Sequence, residues 1–156
     1  MEIEKAIHQE KFESDFQKAV VNIHYTSSWL SHAHGQVFKD YDLSMQQFNV
    51  LRILRGQFPA SATVNLLIER MIDKSSNASR IVEKLRQKGL VKRKVCKDDR
   101  RKVDVIITET GLELVEKASS ELRKIQDCFN ALTAEEYGDL NALLDKMRSK
   151  NVSLNS

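Results

Sequence analysis

One proline and five glycines in 156 residues leave little material for turns, which favours a largely helical chain. The two cysteines, Cys96 and Cys128, are too few and too unpatterned for a disulfide framework or a cysteine-based zinc site, and they fit a reducing compartment. No apolar run approaches the roughly 20 residues of a membrane span, and the opening MEIEKAIHQEKFESDF is acidic where a secretory leader would be basic. The expected location is cytoplasmic, with no membrane contact. Internal repeats and low-complexity tracts are absent. There is also no glycine-rich phosphate loop, no His-Glu-x-x-His pair and no nucleophile elbow, so no enzyme is expected and neither a catalytic residue nor a cofactor is assigned.

What is present suits one globular domain. The length allows a real core but not two ordinary domains, and 41% hydrophobic beside 30% charged residues excludes disordered and collagen-like classes. Residues 3 to 38 carry apolar side chains at helical spacing (Ile3, Ile7, Phe12, Phe16, Val20, Ile23, Trp29 and Leu30), which fits one long helix or two in series. Ser44-Met45-Gln46-Gln47 is a capping box with Leu43 and Phe48 at the staple positions. The helix it starts should stop at Pro59, whose ring disfavours helical geometry in the preceding residue. Pro59 to Ala62 is the candidate linker.

Thr63 opens a short helix with Val64, Leu67, Ile68 and Met71 on its apolar side. After Asp73-Lys74-Ser75-Ser76 the pattern returns in Ala78, Ile81, Val82 and Leu85 and ends at Gly89, a residue suited to a left-handed cap. Two short helices across a tight polar turn have the spacing of a helix-turn-helix. From Leu90 the period falls to two: Val91, Arg93 and Val95, then Val103, Val105 and Ile107, predict a β-hairpin with a basic tip. Thr108 then caps a helix with Leu112, Val115, Leu122, Ile125 and Phe129 on one side. Thr133-Ala134-Glu135-Glu136 is a second capping box, with Leu132 and Tyr137 as its staple, and the last helix carries Leu140, Leu143, Leu144 and Met147. The tail from Lys150 to Ser156 has no pattern and is expected to fray. The predicted fold is mainly α with a small β-hairpin, a winged helix-turn-helix set between N- and C-terminal helices.

Charge is distributed unevenly along this order. Residues 74 to 102 hold twelve Lys and Arg against three acids, a local net charge of +9, while the rest of the chain holds 13 basic and 19 acidic residues. Such a cluster repels itself unless a polyanion meets it, and counterion release from a phosphate backbone supplies the compensating free energy. The run coincides with the second helix of the helix-turn-helix and the hairpin after it, so double-stranded DNA is the expected partner. In that geometry Ser75, Ser76, Asn77, Ser79 and Arg80, at the start of the second helix, point into the major groove. Asn77 can bond adenine and Arg80 guanine; the serines suit phosphates and capping as well as bases. Lys84 and Lys88 follow Arg80 on one flank and would track phosphates.

The segment from Ser79 to Arg93 (SRIVEKLRQKGLVKR), then Asp99-Arg100-Arg101 and the run from Val103 to Gly111 (VDVIITETG), resembles the MarR family of bacterial transcription regulators. The resemblance covers about residues 43 to 148. It implies a homodimer in which residues 1–40 and 109–150 are dimerisation helices and residues 43–108 are the DNA-binding lobe. The terminal helices have apolar residues on both sides of a long charged rod, more than one lobe can cover. The resemblance also implies that Asp99 orients Arg101 into a minor groove, with Arg93, Lys97, Arg100 and Lys102 as further contacts of the wing; arginine in a narrow minor groove is sound chemistry by itself. Two departures stand out. Leu67-Ile68 occupies the place of a usual Leu-Ala step, and Glu83 that of a commoner Asp.

The resemblance further implies release of DNA by a small anionic or aromatic effector, with Trp29, His32 and Phe48 as candidate contacts, and a repressor acting on a pseudo-palindrome. Cys96, between Lys94 and Lys97, is a candidate redox site, because neighbouring cations lower a thiol pKa. His32 and His34, two residues apart, do not share a helical face, and no metal site is assigned. The rival reading is a winged-helix module for protein or RNA contact without sequence-specific DNA binding.

Overall fold

The computed structural model describes residues 1–95 and 103–149. The chain divides into two compact units, Met1–Arg123 and Lys124–Ser156. The first opens with α1 (Ile3–Ala6) and α2 (Asp15–Asp40), so the apolar stretch of residues 3 to 38 is two helices in series. His8 adopts a left-handed φ of 55° after α1, and Ser14 restarts the chain as a helix cap, its hydroxyl accepting from the Gln17 amide at 3.2 Å. Ile3 is buried, and an ion pair between Glu4 and Lys18 holds the short helix to the start of α2.

The expected capping box starts α3 (Met45–Gln57). The Gln47 amide donates to the Ser44 hydroxyl at 3.1 Å, and the Ser44 amide donates to the Gln47 side-chain oxygen at 3.0 Å. Leu43 and Phe48 are both buried, and Phe48 packs on Phe38 at the end of α2 with ring centroids 4.6 Å apart. Val50, Leu51 and Leu54 have almost no exposure, which makes α3 the centre of the lobe. Around it lie α4 (Val64–Arg70), α5 (Ala78–Gln87), β1 (Ala62–Thr63), β2 (Val91–Val95), β3 (Val103–Ile107) and the start of α6 (Glu109–Phe129). These contribute Leu67, Val82, Leu85, Val91, Val105 and Val115 to a dry core, each such side chain worth about 1.5–3 kcal/mol on burial.

Two expectations change. The wing is not a lone hairpin: β1 pairs antiparallel with β3, Ala62 opposite Val105, so the sheet has the order β1-β3-β2. The end of the candidate linker is therefore a strand, and two residues are too few to show an alternating pattern. Ile68, placed on the apolar stripe of α4, is 40% exposed, because the buried face centres on Leu67 and on Met71 just past the helix end, leaving Ile68 at its rim.

The helix-turn-helix is closed by side chains. Asn49 of α3 accepts from the Ile72 amide at 3.2 Å, and the Lys74 ammonium donates to the carbonyl of Ile68 at 3.2 Å and to that of Glu69, satisfying the open end of α4. Gly89, with φ of 73°, ends α5 in the left-handed cap, and the Thr108 hydroxyl donates to the Gly89 carbonyl at 2.8 Å while accepting from the Gly111 amide at 3.1 Å. Arg55 of α3 reaches Glu116 of α6 at 2.7 Å, and Arg123 holds the same carboxylate at 3.0 Å.

In the second unit α7 (Ala134–Ser149) begins at the expected box, the Glu136 amide donating to the Thr133 hydroxyl at 3.3 Å and the Thr133 amide to the Glu136 carboxylate at 2.7 Å. No residue of α7 is buried, and the staple pair Leu132 and Tyr137 is exposed together with Leu140, Leu143 and Met147. Among the described residues no helix is long and apolar enough to cross a membrane.

Candidate nucleic-acid interface

The helix α5 is positioned by its own sequence. Asn77 caps it, the Arg80 amide donating to the Asn77 side-chain oxygen at 3.0 Å, and Ala78, Val82 and Leu85 lock one face into the core. Ser79, Arg80, Lys84 and Gln87 are thereby turned outward and exposed. Ser75 and Ser76 lie in the turn before the helix rather than in its first turn. Both hydroxyls donate to the Asp73 carboxylate, at 2.6 and 2.7 Å, and those bonds with the Ser75 amide hold its pKa below the usual carboxylate range. Asn77 uses one lone pair of its oxygen in the cap; its amide N–H groups and the other lone pair stay available to a base edge.

Not every cation on this face is free to meet a phosphate. Lys88 is paired with the Asp42 carboxylate at 2.9 Å and also donates to the Asp42 carbonyl. Arg86 grips Glu83 through both Nε and Nη2, the shortest contact being 2.8 Å, and Arg93 of β2 joins the same carboxylate at 3.2 Å. The hydrogen bonds from Arg86 are the main cause that keeps the Glu83 carboxyl below its ordinary pKa, with Arg93 adding to the effect. Arg80 and Lys84, one helical turn apart, show no ion pair among the described contacts. They line an open groove of about 850 Å³ between α5 and the start of α3, together with Asp42, Gln46, Asn77 and Lys88. The sequence reading missed the structural partners Asp42, Asn49 and Lys74, whose pairings span the chain or close a turn without a local motif.

The remaining wing candidates, Lys97, Asp99, Arg100, Arg101 and Lys102, and the candidate redox residue Cys96 lie outside the described residues. The effector candidates separate. Phe48 is inside the lobe core against Phe38, whereas Trp29 and His32 are exposed on α2, Trp29 nine residues and so about 13 Å along the helix from Phe38. The face of α2 toward the core holds instead His34, whose Nε2 is buried with no hydrogen-bond partner and whose ring meets Phe38 edge-on at 6.4 Å. Among the described residues no three His, Cys, Asp or Glu gather as a metal site.

This arrangement has relatives. A family model described as the MarR family matches residues 43–103. The HTH-type transcriptional repressor IacR of Pseudomonas putida is 29% identical over 125 residues, covering 75% of this chain and 74% of its own. A MarR-like transcription regulator from Bacillus cereus ATCC 10987 superposes with a TM-score of 0.72 at 26% identity, covering 86% of this chain and 96% of its own. Bordetella bronchiseptica BpsR, whose DNA binding is regulated by 6-hydroxynicotinic acid, superposes with a TM-score of 0.66 at 26% identity over 80% of this chain and 89% of its own.

Proposed function

We propose that the chain is a MarR-family protein, a homodimeric DNA-binding transcription regulator that answers to a small-molecule effector; the family model over residues 43–103 and the likeness to IacR and to the Bacillus cereus regulator support this reading. The observation that carries this reading is the exposed flank of α5, where Asn77, Ser79, Arg80 and Lys84 stand outward on a helix whose opposite face is buried in the lobe core. A helix so presented fits the major groove, with base-reading groups near its start and cations beyond them. Ser75 and Ser76 serve this interface by holding the turn before α5 on Asp73, and Lys88 by tying the end of α5 to Asp42. The wing residues Lys97, Arg100, Arg101 and Lys102, with Asp99 orienting Arg101, extend the contact to the flanking minor groove, where an inserted arginine reads width.

Dimerisation supplies the second recognition helix. Phe16, Ile23, Tyr25 and Trp29 on α2 and Leu140, Leu143 and Met147 on α7 are left exposed by the single chain, a load of apolar surface that a second copy would cover. Residues 1–40 and 109–150 are on this reading the dimerisation helices and residues 43–108 the DNA-binding lobe. The two recognition helices then lie about 34 Å apart, in successive major grooves of a pseudo-palindrome. Small anionic or aromatic compounds are the effector class, as the acid that regulates BpsR illustrates, and on this reading Trp29 and His32, exposed on α2, meet one where a second copy covers that helix.

A fluorescence titration of duplexes selected from random sequence tests this reading. Two chains per duplex are expected, with log affinity falling steeply against log salt because several phosphates are neutralised. A flat salt response, or one chain per duplex, overturns it.

A further inference from the structure

An acid on a face that meets a polyanion costs affinity, so its presence there asks for a structural reason. Glu83 is the acid of α5, and it is surrounded by its own donors. Arg86 Nη2 lies 2.8 Å from one carboxylate oxygen, Arg86 Nε 3.1 Å from the other, Gln87 Nε2 3.3 Å and Arg93 Nη1 3.2 Å away. Arg86 and Gln87 belong to the same helix and fix the rotamer of Glu83. Arg93 does not: it stands beyond the Gly89 turn, at the middle of β2, where it is paired with Val105 of the central strand. Among the described ion pairs, Glu83 with Arg93 alone joins the recognition helix to the wing.

We propose that Glu83 is a positioning residue for DNA recognition: it fixes the angle between α5 and β2, and with it the simultaneous seating of helix and wing on the correct sequence. The inference rests on the DNA-binding reading above. It assigns Arg86 and Arg93 a role different from the one their charge suggests, since both are committed to a protein carboxylate. Glu83 acts through them and reads no base. On a non-specific duplex, where contacts are to phosphate and no single seating is required, this angle has little value. On the operator it decides whether base contacts and wing contacts are made together.

Two readings of Glu83 therefore differ in sign. If it is only a misplaced negative charge, Glu83→Gln frees two guanidinium groups and tightens binding to every duplex alike. If it positions the wing, Glu83→Gln weakens the operator and leaves other DNA unchanged or tighter. The test is a fluorescence-anisotropy titration of the wild type, Glu83→Gln, Glu83→Asp, Arg93→Gln and the double variant Glu83→Gln/Arg93→Gln. Each is titrated with a selected duplex and a scrambled duplex of the same composition, with a thermal melt of each protein alongside. The expected result is a fall of about tenfold in the ratio of the two affinities for Glu83→Gln, similar to one mismatched base pair. Glu83→Asp should recover most of it, and the double variant should be no worse than Glu83→Gln alone, because Arg93→Gln removes an interaction that Glu83→Gln has already removed. An unchanged ratio in Glu83→Gln, or additive losses in the double variant, overturns the proposal while leaving the DNA-binding reading intact. Failure of the wild type to discriminate the duplexes at all overturns both.

Discussion

Gly111 packs against the Leu90 carbonyl so closely that a β-carbon built on it would stand 2.3 Å from that oxygen and 2.8 Å from the side chain of Ile107. The same residue donates its amide to the Thr108 hydroxyl, which in turn holds the Gly89 carbonyl. The end of the run from Val103 to Gly111, Ile107-Thr108-Glu109-Thr110-Gly111, thus has a steric meaning: it brings the start of α6 directly onto the turn between recognition helix and wing. Gly111→Ala should cost about 1–3 kcal/mol, since the obstruction is backbone and cannot swing away, and should lower the melting temperature by several degrees. A melt equal to the wild type would show that the junction can open without loss.

Asn77 has two tasks that mutations can separate. Asn77→Ala removes both the helix cap and the amide, so it should lose about 1 kcal/mol of stability and also relax sequence preference. Asn77→Ser keeps a capping oxygen and removes the amide; it should retain the melting temperature while still relaxing the preference. Selection from random duplexes measures the second effect, and an unchanged selected sequence in Asn77→Ser would confine Asn77 to its structural task.

Leu143 is 64% exposed on α7, so a charge placed there costs the isolated chain little. Buried against a second copy, the same charge would be without a partner. Leu143→Lys should give monomers by light scattering at concentrations where the wild type is dimeric, with unchanged helical circular dichroism. Dimers of equal strength would place the interface elsewhere.

The buried, unpartnered Nε2 of His34 gives the lobe a weakness in acid. Burial lowers the imidazole pKa below its ordinary value, so the unfolded chain takes up a proton before the folded one does. Stability from this residue is full above about pH 6.5 and declines as the pH falls below it, until the folded form is itself protonated. His34→Leu should reduce the fall in melting temperature between pH 7 and pH 5. A slope as steep as that of the wild type would assign the acid sensitivity to other groups.

The elements legible in the sequence are those whose chemistry is local. Ser44 with Gln47 and Thr133 with Glu136 form the reciprocal caps that their spacing requires, and Gly89 takes the left-handed turn that ends α5. Between the two alternatives that the apolar period leaves open for residues 3 to 38, the local cap, the Ser14 hydroxyl accepting from the Gln17 amide, decides for two helices in series. The strand β1 was not legible, because its two residues acquire their identity only by pairing with β3. Ile68 fits a helical stripe by spacing, yet the width of the buried face depends on what α4 packs against.

By itself the sequence determined the order of the main helices and of the two hairpin strands, the polar turn between two short helices and the concentration of positive charge on the second helix and the hairpin, because caps, periods and charge runs act over three or four residues. The tertiary structure decided which of those charges remain available. It brings Asp42 to Lys88 across 46 positions and Arg93 back to Glu83 past a turn, committing cations that a count along the chain leaves open, and it leaves Arg80 and Lys84 facing outward. The physical reason is that a side chain's charge is fixed by its chemistry, whereas the partner that neutralises it is fixed by where the fold places the rest of the chain.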